Sequence, residues 1–188
     1  MTGIVTSALM GFFAFSGVGT STAATWANQA LLAPTYPSYQ VSMTAYNAVP
    51  EQTDGDPFTT ASGAFSDPDI VAARSVDLAD ELPFGTVISI TQSATSSVKC
   101  GLGLVEPLIG LRVVADSMHP RKHNQIDILF DPADTVKVNG KRTNPARAFG
   151  VCTDVKIEVV GRIDMKHMPK NQVELKAALG QAPLASSK

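Results

Sequence analysis

The segments Leu111-Arg112-Val113-Val114-Ala115-Asp116 and Ile126-Asp127-Ile128-Leu129-Phe130 decide the fold. Both are short runs rich in β-branched and other apolar residues, a composition typical of strands. Residues 117–125, Ser-Met-His-Pro-Arg-Lys-His-Asn-Gln, join them as a basic turn. An arch of this kind brings Asp116 and Asp127 to one mouth of a β-structure. The sequence therefore predicts a pair of carboxyl groups at the ends of two adjacent strands.

Further strands are predicted on both sides of this pair. Segments of strand length and composition are found at 40–46, 70–73, 86–90, 136–141 and 151–163. The fourth of these segments contains Asn139-Gly140, a hairpin signal. One helical turn is predicted at 145–149 and a weak helix at 171–179, while the long loop at 47–64 is typical of a functional loop. Many short strands separated by turns predict a mainly β domain, either a small barrel or a sandwich.

The charge of the chain is nearly balanced. Its 188 residues include 15 Lys and Arg and 17 Asp and Glu, for a net charge of −2. Bulk electrostatic binding of nucleic acid requires clustered positive charge, so we expect no nucleic-acid partner. The length is sufficient for one domain with its own hydrophobic core.

The N-terminal part of the chain carries no charged side chain before Glu51. Residues 4–18 are an apolar run, and small residues follow at 19–24. This pattern predicts a signal peptide within residues 1–27, and therefore a secreted, periplasmic or cell-wall protein. An uncleaved anchor is one alternative, although the run is too short and too rich in Gly and Ser for a stable membrane span. The other alternative is an apolar arm that binds an assembly partner.

The rest of the chain divides into three predicted parts. Residues 28–40, with two prolines among small polar residues, are predicted to form a linker. The β-domain is predicted at 41–163, and a C-terminal extension at 164–188. The two cysteines, Cys100 and Cys152, lie in or beside predicted strands. They are interpreted either as a disulfide or as two buried thiols, since sequence gives no separation between them.

Asp116 and Asp127 are the candidate catalytic residues. Two nearby carboxylates do not easily both ionise, so one of them can keep its proton near neutral pH. A carboxylic acid held in this way can protonate a glycosidic oxygen. In the alternative interpretation both residues are structural: Asp116 caps the turn, and Asp127 forms an ion pair with Arg121 or Lys122.

Other chemistries fit the sequence less well. His119 and His123 beside Asp116 suggest a metal site, but they lack a known ligand spacing, so no metal ligand is assigned. A serine hydrolase is not indicated, because the chain has no Gly-x-Ser-x-Gly elbow. The basic turn is interpreted as a solvated face or as a site that attracts substrate carboxylates.

A family resemblance follows from the order and spacing of several short segments within residues 41–160. These segments are Met43-Thr44-Ala45-Tyr46, Thr60-Ala61-Ser62-Gly63, Ile70-Val71-Ala72-Ala73, Leu82-Pro83-Phe84-Gly85-Thr86, Val114-Ala115-Asp116, Ile126-Asp127-Ile128 and Phe149-Gly150 followed by Val155-Lys156-Ile157-Glu158-Val159. Together they resemble the 3D domain, named for three aspartates. That domain occurs in MltA-type lytic transglycosylases and in stationary-phase survival proteins.

The resemblance implies a six-stranded double-psi β-barrel with long loops. It also implies a lytic transglycosylase that cleaves the MurNAc–GlcNAc bond of peptidoglycan glycan strands to 1,6-anhydro products, with no metal or cofactor. Asp127 would be the general acid and base, Asp116 its partner, and Asp77 the nearest candidate for the remaining aspartate. The implied substrate-binding residues are Tyr46, Thr60, Ser62, Arg121 and Lys122. The alternative function is a non-catalytic barrel that binds cell-wall glycan or serves in an assembly such as a virion.

Overall fold

A computed structural model of the protein describes residues 36–53, 55–91 and 100–181. The signal peptide predicted at 1–27 lies outside these residues, as do most of the predicted linker and the end of the C-terminal extension. The strands are β1 (Ser38–Asn47), β2 (Val71–Arg74), β3 (Thr86–Thr91), β4 (Arg112–Ser117), β5 (Gln125–Phe130), β6 (Val136–Val138), β7 (Lys141–Thr143) and β8 (Cys152–Arg162). The helices are α1 (Leu102–Ile109), α2 (Pro145–Phe149) and α3 (Gln172–Gln181), with 3-10 turns at Val76–Leu78 and Met165–His167.

Six of the strands close into a barrel in the order β1-β5-β2-β4-β3-β8. The pairs β1–β5 and β2–β4 are parallel, and the remaining neighbours are antiparallel. The prediction of a mainly β domain is confirmed, and of its two alternatives the chain adopts the barrel. The other two strands, β6 and β7, form a separate hairpin around Asn139-Gly140, as their sequence predicts.

The first strand begins earlier than predicted. β1 starts at Ser38, so the prediction that the linker extends to residue 40 is wrong. The reason is the long last strand: Tyr39 lies opposite Ile157 of β8, and Gln40 lies opposite Lys156. Pairing with a partner strand extends β1 through residues that carry no strand pattern of their own.

Helix α1 was not predicted from the sequence. Gly103 and Pro107 lie within it, and both residues lower helix propensity. Its buried residues Leu102, Val105 and Ile109 nevertheless follow helical spacing. Among the described residues, no helix is both long enough and apolar enough to cross a membrane.

The hydrophobic core forms two clusters on opposite faces of the strands. The first receives buried residues from all six barrel strands and therefore fills the barrel interior; these include Val41, Met43, Ala72, Ile88, Val114, Ile126, Ile128 and Ile157. The second contains Val71, Val113, Leu129 and Leu175, the last of which belongs to α3. Each fully buried aliphatic side chain contributes about 1.5–3 kcal/mol to folding. The start of the predicted C-terminal extension is thus part of the core.

Arg112 is fully buried at the start of β4. Its guanidinium donates hydrogen bonds of 2.6–3.4 Å to the backbone carbonyls of Pro68, Val71, Leu108, Ile109 and Leu129. Burial lowers the pKa of Arg112 to about 10. The five carbonyls come from three separate parts of the chain, residues 68–71, 108–109 and 129, so this side chain joins the end of α1 to the barrel strands.

Cys100 and Cys152 form a disulfide, with their Cα atoms 5.2 Å apart. The interpretation as two free buried thiols is therefore wrong. The bond ties Cys100, two residues before α1, to the first residue of β8. Gly101 strengthens the same junction, because its N–H donates to the carbonyl of Phe149 at 2.8 Å.

Candidate active site

The strand register places Asp127 and Asp116 on either side of Ala73. Asp127 on β5 lies opposite Ala73 of β2, and Ala73 lies opposite Asp116 of β4 across a register shift. On the other side of Asp127, the parallel pairing of β1 and β5 places Thr44 opposite it. The two aspartates are thus two strands apart, which corresponds to roughly 10 Å between their Cα atoms. Alternation along β5 points Asp127 away from Ile126 and Ile128, which enter the barrel interior.

Both carboxyl groups line one groove of about 580 Å³. The strands contribute Tyr46, Ala73, Asp116, Ser117 and Asp127; the loop after β1 contributes Gln52, Thr53, Asp56, Thr59, Ala61 and Ser66; the segment after β2 contributes Val76; and the basic turn contributes Met118, His119, Pro120 and Lys122. Three acidic residues, Asp56, Asp116 and Asp127, and one lysine, Lys122, therefore line the groove.

Asp127 is largely removed from solvent. Burial raises its pKa from 3.8 to about 6, and the negative charge of Asp116 acts in the same direction. A hydrogen bond from Thr44 and the charge of Lys122 oppose this rise. Within the described residues the ion pairs are Lys156–Glu158 and His167–Asp164, so Asp127 does not form the predicted structural pair with Arg121 or Lys122.

Asp116 accepts three hydrogen bonds. Oδ2 accepts from the Tyr46 hydroxyl at 3.0 Å, and Oδ1 accepts from the backbone N–H groups of Ala61 and Ser117, both at 2.8 Å. The bond from Ser117 agrees with the interpretation that Asp116 caps the turn. Burial, followed by the charge of Asp116, raises the pKa of Tyr46, so its hydroxyl remains a donor. Asp116 is therefore held in one orientation, beside Asp127 and within the same groove.

Thr60 and Ser62 shape the loop that reaches Asp116. Their hydroxyl oxygens lie 3.0 Å apart, and the Thr60 hydroxyl donates to the carbonyl of Ala64 at 3.1 Å. The N–H of Ser62 donates to the carbonyl of Ala115 on β4 at 3.2 Å. Neither residue lines the groove; between them, Ala61 does and directs its N–H at Asp116.

Asp77 and Arg121 lie outside the groove lining. The Asp77 carboxylate accepts from the N–H of Asn124 at 2.9 Å, where the backbone has a φ of 45°. Hydrogen bonds from the Ser75 hydroxyl and from Asn124 lower the pKa of Asp77. Arg121 is exposed, and its N–H groups donate to Nδ1 of His119. Asp77 thus fixes the end of the basic turn and does not join the two groove aspartates.

The histidines of the basic turn do not form a metal centre with Asp116. In the described part of the chain, no three His, Cys, Asp or Glu residues cluster closely enough to hold a metal ion. His119 reaches the groove wall, whereas His123 is exposed and contributes its charge to the surroundings of Asp77.

Comparison with known proteins assigns no family to this geometry. Neither a protein-family model nor a curated protein matches the sequence.

The sequence did not identify Thr44 and Gln125, two residues that form hydrogen bonds behind Asp127. The Thr44 hydroxyl donates to Oδ1 of Asp127 at 2.8 Å, and the Gln125 side-chain amide donates to the Thr44 oxygen at 2.7 Å. Alternation indicates that Thr44 and Tyr46 share a face of β1, which was the available signal. Only the pairing of β1 with β5 shows that this face meets Asp127.

Proposed function

We propose that the protein is a peptidoglycan lytic transglycosylase with Asp127 as its general acid and base. The observation that carries this proposal is a carboxyl group that lines a groove and has its pKa raised to about 6 by burial, with a second carboxyl group in the same groove. An acid with such a pKa is partly protonated near neutral pH, which general acid catalysis requires.

The proposed reaction uses the Asp127 carboxyl group twice, first as an acid and then as a base. Protonated Asp127 gives its proton to the glycosidic oxygen as the bond from that oxygen to C1 of the MurNAc ring breaks. The C6 hydroxyl of the same ring then attacks C1 and loses its proton to the Asp127 carboxylate. The product is a 1,6-anhydro sugar, and Asp127 returns to its protonated form. Asp116 has the role of raising the proton affinity of Asp127 and of binding sugar hydroxyls.

The pairing pattern supports the proposal that this barrel is a double-psi barrel of the 3D domain family. If β1, β2 and β3 are exchanged with β4, β5 and β8, the closed order of neighbours is unchanged. The same exchange turns the parallel pair β1–β5 into the parallel pair β4–β2. A barrel of two interlocked, equivalent halves has this property.

The walls of the groove suit an anionic glycan. Lys122 lines the groove and the exposed Arg121 is close to it in the basic turn, so both can attract the carboxylates of peptide stems. In the loop that follows β1, Phe58 is 68% exposed and Phe65 is 64% exposed, so two large apolar side chains are available for contact with sugar rings. We place the sugar rings of the glycan strand against this loop.

The proposed location is secreted, periplasmic or at the cell wall. The disulfide supports it, because such bonds persist mainly in oxidising compartments. The uncharged segment before Glu51 agrees with export, or with an assembly partner that binds the N-terminal arm.

The second candidate function is a non-catalytic barrel that binds cell-wall glycan or belongs to a virion or other assembly. One observation favours it: Asp77 holds a turn, so the groove lining contains two of the family's three aspartates. A groove that has lost catalysis would still present Lys122 and Tyr46 to a glycan.

Digestion of purified peptidoglycan tests the proposal and separates it from this alternative. Mass analysis should find 1,6-anhydromuropeptides with wild type, and at least about a hundredfold less with Asp127→Asn. Asp134→Asn, at an exposed residue away from the groove, is the control and should match wild type. If wild type yields no more anhydro product than Asp127→Asn but sediments with peptidoglycan, the enzyme proposal fails and the binding function replaces it.

A further inference from the structure

Behind Asp127 lies a short chain of hydrogen bonds that does not reach the groove. Gln125 Nε2 donates to Thr44 Oγ1 at 2.7 Å, and Thr44 Oγ1 donates to Asp127 Oδ1 at 2.8 Å. Neither Thr44 nor Gln125 belongs to the groove lining. The backbone of Gln125 is fixed in turn by Ser75, which is fully buried: the N–H of Gln125 donates to the Ser75 hydroxyl at 3.0 Å, and the N–H of Ser75 donates to the carbonyl of Gln125 at 2.9 Å.

The direction of these bonds follows from the number of protons available. A threonine hydroxyl has one proton, and its oxygen accepts from others. Because the Gln125 amide donates to that oxygen, the Thr44 proton points at Oδ1 of Asp127. When Asp127 is ionised, the opposite orientation of the amide would set two acceptors, Gln125 Oε1 and Asp127 Oδ1, against a single hydroxyl proton. The arrangement with Nε2 towards Thr44 satisfies all three groups.

The other oxygen of Asp127 has a different environment. No described residue donates a hydrogen bond to Oδ2. In the described part of the chain, every buried side-chain oxygen or nitrogen has a hydrogen-bond partner. Oδ2 is therefore not a buried atom, and it reaches the groove that Asp127 lines. Oδ1 thus accepts a hydrogen bond from Thr44, whereas Oδ2 remains accessible from the groove.

We propose that Thr44 and Gln125 are positioning residues that keep the exchangeable proton of Asp127 on Oδ2, the oxygen that faces the groove. The inference rests on the proposed function, in which Asp127 is the proton carrier. With Oδ1 occupied as an acceptor, the proton leaves Oδ2 for the glycosidic oxygen, and the proton of the C6 hydroxyl returns to Oδ2. Both transfers then use one oxygen, and the carboxyl group need not rotate between them.

The test replaces the donor without changing the shape of the residue. In Thr44→Val the hydroxyl is lost while the β-branched form that suits a strand is kept. Loss of a donor to the carboxylate favours the protonated form, so we expect the Asp127 titration, followed by carbon-13 NMR of labelled aspartate, to move up by about one pH unit. The alkaline limb of the pH–activity profile should move with it, and activity at pH 5 should fall about tenfold because the proton is no longer confined to Oδ2.

Two further variants and a control complete the experiment. Thr44→Ser should restore both the titration and the activity, because it keeps the hydroxyl. Gln125→Leu, which frees that hydroxyl to rotate, should show a smaller shift in the same direction. The control is Thr91→Val on β3, where the hydroxyl donates to the carbonyl of Lys156 far from the groove; it should change neither readout.

The other titratable groups around Asp127 are unchanged in every variant. They are Tyr46 on β1, Asp116 on β4, Lys122 and His119 on the basic turn, and Asp56 on the facing loop. A Thr44→Val protein that keeps the wild-type backbone spectrum, Asp127 titration and pH–activity profile would overturn the proposal. If wild type cuts no peptidoglycan, the proposed function fails, and the NMR titration alone decides whether Thr44 holds Oδ1.

Discussion

Asp127 stabilises the fold when it is protonated and destabilises it when it is ionised. Its pKa in the fold is about 6, whereas its ordinary value is 3.8, because burial penalises the charge. Well below pH 3.8 the carboxyl is protonated in both folded and unfolded chains, and its full contribution to stability is present. That contribution is lost as the pH rises from about 4 to about 6.

This dependence on pH predicts that the ionised Asp127 carboxylate lowers the free energy of unfolding. At pH 7, Asp127→Asn should raise the free energy of unfolding by up to about 3 kcal/mol relative to wild type, and by much less at pH 4. Urea unfolding at the two pH values measures the difference. Asp134→Asn, at an exposed site, should lie within about 0.5 kcal/mol of wild type at both. A difference between Asp127→Asn and wild type that does not depend on pH would contradict the burial of this charge.

At the scale of single residues, the sequence identifies Asp116 and Asp127 as candidate acids but does not identify the residues that donate hydrogen bonds to them. Asp116 and Asp127 are recognisable because each interrupts or ends an apolar strand. Thr44 lies 83 residues from Asp127 along the chain, and Tyr46 lies 70 residues from Asp116. Such contacts depend on which strands become neighbours, and the local pattern of a single sequence does not predict strand pairing over these separations.

Among the elements, the loop before β2 links local backbone geometry to the groove. Gly63 has a φ of 82°, and it closes the turn in which its N–H donates to the carbonyl of Thr60 at 2.8 Å. A side chain at this φ is strained even though nothing lies within 4 Å of the added Cβ atom. This turn also fixes the position of the Ala61 N–H, which donates a hydrogen bond to Asp116.

Gly63→Ala should therefore reduce activity as well as stability. We expect the free energy of unfolding to fall by about 1 kcal/mol and the yield of anhydromuropeptides to drop severalfold. Gly140→Ala is a matched control, because Gly140 has a φ of 79° and equally open surroundings in the β6–β7 hairpin. It should cost similar stability and leave the yield unchanged. Equal yields from both variants would show that the loop does not position Asp116.

The elements themselves were predictable to different degrees. Strands with an apolar or alternating pattern, such as β5 and β8, could be recognised because the pattern is local. The start of β1 could not, since Ser38 and Tyr39 join the strand only through β8. Helix α1 was missed because Gly103 and Pro107 conceal the spacing of its buried residues.

For the molecule as a whole, the disulfide is the main covalent constraint in the described part of the chain. It joins residues separated by 52 positions and restricts the unfolded chain accordingly. Its reduction should lower the free energy of unfolding by about 2–4 kcal/mol, measured by denaturant unfolding with and without dithiothreitol. The double variant Cys100→Ala, Cys152→Ala should show the lower stability and no response to reductant. An unchanged unfolding midpoint for wild type in reductant would contradict this prediction.

The sequence predicts a mainly β fold, but it does not predict that the strands close into a barrel. Short strands and turns favour both a barrel and a sandwich, and the choice depends on long-range pairing. The same limit applies to Cys100 and Cys152, since only the folded backbone brings their Cα atoms to 5.2 Å.

The position of β1 in the barrel has a consequence for synthesis on the ribosome. Its neighbours are β5, which begins at Gln125, and β8, which begins at Cys152. This strand, the first of the barrel to be synthesised, must therefore wait on the order of ten seconds for both partners, with Val41 and Met43 unburied in the meantime. Nascent chains of this protein should thus depend on a chaperone that shields β1 until the last strand arrives.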